Sequence, residues 1–158
     1  MNYLFKLCLF SVLTFFFPLS ALYADHHMSK FGTRKEARDL LDRTINLMKH
    51  DKNYALMMMS IGRGGLYEKD LYPFCANGDG VLTGHPFNVG LNIMDFKDVD
   101  GVKVGDLIFK NATKGKVSEV KYKLARLEEG VLSKKIYTKI SFVTKIDDHV
   151  CAVGYYKK

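Results

Sequence analysis

Apolar and polar positions change rhythm along this chain, and each change marks an element. Leu7–Phe17 is an almost unbroken apolar run. Further on, Ala37, Leu40, Leu41, Thr44, Leu47, Met48, Tyr54, Ala55 and Met58 recur at the spacing of one helix face. Thr33-Arg34-Lys35-Glu36 stands just ahead of them as a capping box, which marks a helix start. The spacing predicts one helix of 27 residues to about Ser60, stopped by Gly62, Gly64 and Gly65.

Beyond those glycines the rhythm suits strands. Leu71, Tyr72, Phe74 and Cys75 form a short aromatic-rich run, and Val81-Leu82-Thr83 returns after Asn77-Gly78-Asp79-Gly80. That turn cluster tolerates the positive φ of a tight hairpin. Val104–Ala112 reads as a short helix, closed by Thr113-Lys114-Gly115. Val117–Leu127 alternates, with Val120, Tyr122 and Leu124 on one face and Glu119, Lys121 and Lys123 on the other. Glu128-Glu129-Gly130 turns into Val131–Phe142, and Asp147-Asp148 into Val150–Tyr156. The expected fold is one α+β domain: a long N-terminal helix, a five-stranded antiparallel sheet and small helices over one face.

Residues 1–24 read as a secretory leader. Lys6 precedes the apolar run, Pro18 and Ser20 break it, and Ala24 offers a small residue before Asp25. The alternative is an uncleaved anchor, because the 18 residues Leu7–Ala24 are uncharged, the lower limit for a membrane span. Cleavage would leave a flexible tail at 25–32 and the domain at 33–158, in the periplasm or secreted. The leader holds one lysine and no acidic residue, so the remainder carries a net charge of +6. Such an excess favours anionic partners or serves as a solubilising coat. Nucleic acid is not expected as a partner of an exported chain that lacks a nucleic-acid motif.

The order of motifs after Asp70 resembles the single Cache domain, an extracellular PAS-like sensor module of bacterial receptors. That family reads roughly as L-Y-x-F, a D/N-G turn, a His, G-x-N and D-x-x-G. Here these are Leu71-Tyr72-Pro73-Phe74, Asp79-Gly80, His85, Gly90-Leu91-Asn92 and Asp98-Val99-Asp100-Gly101. Lys134-Lys135-Ile136-Tyr137 looks like its K-x-x-Y, and Gly154-Tyr155-Tyr156 like its closing G-x-Y. Two features depart from the pattern. There is no Trp, and Glu119-Val120-Lys121-Tyr122 stands where the family has W-V-x-Y. The segment from His85 to Gly90 is also short. The resemblance implies that the first and last strands are neighbours, so Cys75 and Cys151 could form a disulfide; two buried thiols are the alternative.

The resemblance also implies a pocket for a small organic acid. The candidate ligand-binding residues are Tyr72, Phe74, His85, Lys134, Tyr137 and Tyr156. A Lys ammonium, Tyr hydroxyls and a His nitrogen can donate to a carboxylate that must leave water. Lys134 and Tyr137 fall on opposite faces of an ideal strand, so a bend is needed for both to reach one ligand. The alternative readings are Tyr72 and Phe74 as core, Lys134 as an exposed strand lysine and His85 as a loop cap. Asp25-His26-His27 would form a square-planar metal site if cleavage follows Ala24, with an ordinary tail as the alternative. Met57-Met58-Met59 points three ways from a helix and suits core packing better than a metal. Asp98-Val99-Asp100-Gly101 lacks the other oxygen ligands of a calcium loop. No nucleophile–base motif or cofactor fingerprint occurs, so neither catalysis nor a cofactor is expected. The expected role is an exported domain that binds a small anionic metabolite and acts through an envelope protein partner. The alternatives are a structural or interaction protein without a working pocket, and an anchored sensor subunit.

Overall fold

The computed structural model describes residues 29–128 and 131–157. Helix α1 (Arg34–His50) starts at the anticipated capping box: Thr33 Oγ1 accepts from the Glu36 amide at 3.2 Å, and Glu36 Oε2 accepts from the Thr33 amide at 2.8 Å. The expected continuous helix breaks at Asp51. Its backbone is extended there, its amide closes α1 on the Leu47 carbonyl, and its carboxylate caps the Tyr54 amide at 2.9 Å to start α2 (Lys52–Ile61). A carboxylate that satisfies a free helical amide rewards a fresh start over continuation. Gly62 then ends α2 in the left-handed region, at φ +63°.

Five strands follow: β1 (Pro73–Ala76), β2 (Leu82–Gly84), β3 (Ser118–Glu128), β4 (Val131–Ile146) and β5 (His149–Tyr156), with α3 (Val104–Asn111) between β2 and β3. They form one antiparallel sheet in the order β2-β1-β5-β4-β3. First and last strands are neighbours, and Cys75 lies directly opposite Cys151 with their sulfurs bonded across the β1–β5 pair.

Strand alternation sends successive side chains to opposite faces and so builds two cores. On one face, Leu40, Leu41, Met48 and Met59 of the helices cover Ile140, Phe142, Val153 and the cystine. On the other, Val104 and Ile108 of α3 cover Val120, Val143, Phe74 and Ala152. Among the described residues no helix is long and apolar enough to cross a membrane. The leader expected at 1–24 and the candidate metal site at Asp25, His26 and His27 lie outside the described residues. Phe31 and Gly32, assigned by sequence to the tail, make definite contacts. The Gly32 amide donates to Asp70 Oδ1 at 2.7 Å, and the Arg126 guanidinium sits 4.0 Å from the centre of the Phe31 ring.

Candidate functional site

The face under α3 is only partly covered, because an eight-residue helix cannot span it. The uncovered end holds a cavity of about 190 Å³. Phe74 of β1, the preceding Tyr72, and Tyr122 and Leu124 of β3 line the sheet side, while Ile93 and Phe96 close the far wall. The segment after β2 contributes His85, whose Nδ1 accepts from the amides of Phe87 (3.0 Å) and Asn88 (3.2 Å). His85 therefore does both jobs left open by its sequence: it caps its loop and lines the cavity. With Nδ1 accepting, the neutral ring carries its proton on Nε2.

The chemical centre is Lys139 of β4, which lies between Tyr122 of β3 and Tyr156 of β5 in register and is 1% exposed. Its Nζ donates to the Tyr72 hydroxyl at 3.1 Å. It lies 4.4 Å from the centre of the Tyr72 ring and 4.9 Å from that of Tyr156. The rings offer their negative faces to the ammonium. Among the described residues no carboxylate forms an ion pair with it; the nearby Asp70 is paired to Arg126, with Oδ2 3.3 Å from Nε. Space for the lysine depends on Gly154. A Cβ there would fall 2.4 Å from Lys139 Cε and 2.6 Å from Ser141 Oγ.

Burial sets the electrostatics. It lowers the Lys139 ammonium from its ordinary value. It lowers His85 to about 4, with the Lys139 charge adding to the effect, so the ring is neutral at pH 7. The Tyr72 hydroxyl is pushed up to about 12 by burial and the Asp70 charge, and burial also raises Tyr122. The result is one basic side chain, Lys139, and several neutral donors around an apolar hollow. Such a set can receive one carboxylate, whose desolvation is offset by charge-assisted hydrogen bonds.

Tyr72, Phe74 and His85 of the six expected residues line this cavity. Tyr156 instead lines an adjoining groove, and its hydroxyl donates to the Ala125 carbonyl at 2.9 Å. Tyr137 packs edge-on against Tyr156, with the Arg126 guanidinium 4.4 Å from its ring centre, and its hydroxyl donates to Glu128 at 3.3 Å. Lys134 is exposed toward the hairpin end of β4 and lines neither space. The structure does not bring Lys134 or Tyr137 to the cavity. Sequence reasoning missed Lys139 and Tyr122, although both carry a signal. Lys139 occupies an alternating strand position with Ser141 and Val143, which places it on the Tyr122 side of the sheet. Asp98 forms a turn: its carboxylate accepts from the amides of Asp100, Val102 and Lys123 at 2.9 Å each. Among the described residues no cluster of three His, Cys, Asp or Glu could hold a metal.

The family described as Single Cache domain 2 matches the chain over residues 19–155, a span that begins inside the segment read as a leader. Solved structures share the fold. A methyl-accepting chemotaxis protein from Vibrio parahaemolyticus RIMD 2210633 is 21% identical, with a TM-score of 0.60 over 77% of this chain and 86% of its own. A Cache chemosensory domain solved for its recognition of carboxylic acids is 20% identical, with a TM-score of 0.51 over 78% of this chain and 88% of its own. The periplasmic sensor domain of a chemotaxis protein is 18% identical, with a TM-score of 0.51 over 78% and 90%. No curated protein matches the chain.

Proposed function

This chain belongs to the single Cache domain family, a family of sensor modules, and on that premise we propose that it binds a small monocarboxylate with Lys139 as the countercharge. The observation that carries the reading is a buried lysine at the edge of a cavity with no carboxylate bound to it among the described residues. An isolated buried charge costs several kcal/mol, on the order of 3–5 kcal/mol where such a pair is left broken, and an entering anion offsets that cost. One cation suits one carboxylate. The Tyr72 hydroxyl and the His85 Nε2 proton are the neutral donors that would share its oxygens. Carboxylic acid recognition by one structural neighbour supports the same ligand class.

The apolar, leader-like start at 1–24 supports export to the periplasm or beyond. In that setting an envelope protein partner carries the output. Binding acts on the pocket loops and, through the shared sheet, on α1 and α2.

A calorimetric titration with acetate, propionate and butyrate tests the ligand class. The wild-type protein is expected to bind at least one of them. Lys139→Met, which keeps the length of the side chain and removes the charge, is expected to lose at least tenfold in affinity. Its stability should be unchanged or slightly raised, since an apolar side chain suits a buried site. Equal binding by Lys139→Met overturns the role given to this lysine. Failure of every carboxylate to bind the wild-type protein favours an interaction protein that keeps the fold without a ligand.

A further inference from the structure

The cavity beside Lys139 is small for a ligand site, below the roughly 300–1,000 Å³ usual for small molecules. A second groove of about 400 Å³ adjoins it. Tyr72, Asn88 and Leu124 border both spaces, so the groove begins where the cavity ends. Its outer walls are apolar and unusually exposed: Phe87 is 54% and Leu132 66% exposed, and Tyr67 is 37%. Tyr67, Tyr72 and Phe87 touch one another, with ring centres 5.7 to 6.2 Å apart, and form one continuous aromatic wall. Apolar surface left open beside a pocket marks a place for something apolar.

Charge narrows what that can be. Among the described residues Asp70 is the one carboxylate or cation lining the groove, and it is held by Arg126 and by the Gly32 amide. Arg126 is itself buried against the rings of Phe31, Tyr137 and Tyr156. Among the described residues no cation lines the groove to take a second carboxylate. Among the described residues Lys139 is thus the one anion anchor, and apart from Asn88 and the paired Asp70 the lining that leads outward past Tyr72 is aromatic or aliphatic.

We propose that the groove between Phe87 and Leu132 is a tail subsite, so that the ligand is an amphiphilic monocarboxylate: its head on Lys139, and an alkyl or aryl tail of several carbons past Tyr72. This rests on the carboxylate reading above and adds the substrate's length and polarity. A dicarboxylate is rejected because its second charge would lie against apolar walls and the Asp70 carboxylate.

Titration of the protein with acetate, butyrate, hexanoate and octanoate tests the subsite. Affinity is expected to rise about two- to fourfold for each methylene that reaches the groove. Leu132→Asp, a substitution at an exposed hairpin position, is expected to flatten that rise; Phe87→Ser should do the same from the opposite wall. Succinate is expected to bind at least tenfold more weakly than butyrate. If acetate binds as tightly as hexanoate, or succinate outbinds butyrate, the tail subsite is overturned while the carboxylate head site stands. If no acid of any length binds, both fall.

Discussion

The two faces of one sheet have been built to opposite ends from the same strands. On β4, Ile140 and Phe142 turn toward α1, whereas Lys139, Ser141 and Val143 turn toward α3. The first face lies under 17 residues of α1 and 10 of α2 and is filled with aliphatic and aromatic side chains and a cystine. The second lies under the eight residues of α3 and a loop, and it keeps a hollow with a charge at its edge. The difference is one of cover rather than of sheet. A short helix leaves strand positions that neither water nor hydrocarbon fully claims, and those positions become available for recognition.

Removing packing from the covered face should have the largest effect. Leu40→Ala, at a position 1% exposed, is expected to cost about 2–5 kcal/mol in denaturant unfolding. Carboxylate affinity of the remaining folded protein should be little changed. A loss below 1 kcal/mol would show that this face is looser than its burial implies.

The hollow face should instead respond to acid. His85 titrates near 4 in the folded chain and near 6.5 when unfolded. Between those values the unfolded chain takes up a proton that the folded chain refuses, so stability present above pH 6.5 is lost as pH falls toward 4. The loss should reach up to about 3 kcal/mol and should shrink in His85→Gln, as read by thermal or urea unfolding across that range. A slope equal in both proteins would place the acid sensitivity elsewhere. The smallest effect is expected at Lys134, exposed and outside both spaces. Lys134→Ala should shift stability by less than about 0.5 kcal/mol and leave carboxylate binding alone. A large loss of binding there would restore the K-x-x-Y lysine as the anchor.

Much of this could be read before any coordinates. The capping box, the glycine stop after α2, the Asn77–Gly80 turn and the alternation of β3 are local signals, and each formed where its chemistry said. The break at Asp51 escaped because apolar spacing continues across it; only the competition between a helical amide and a capping carboxylate decides it. Tyr72, Phe74 and His85 were found because their motifs are contiguous. Lys139 was not, since its importance comes from neighbours on two other strands, Tyr122 and Tyr156, and from a covering helix too short to exclude it. Motif spacing drew attention to Lys134, five residues earlier, where the hairpin has outrun β5 and solvent takes the ammonium.

Gly154 gives the closing G-x-Y a physical meaning. Without a methyl group there, the aliphatic stem of the lysine can lie flat across the last strand. Position 154 therefore acts as a lock on position 139: alanine in the one would evict a long cation from the other. If Lys139 anchors a ligand, a chain of this architecture that fills position 154 needs another handle, and the pair can be scored together from sequence alone.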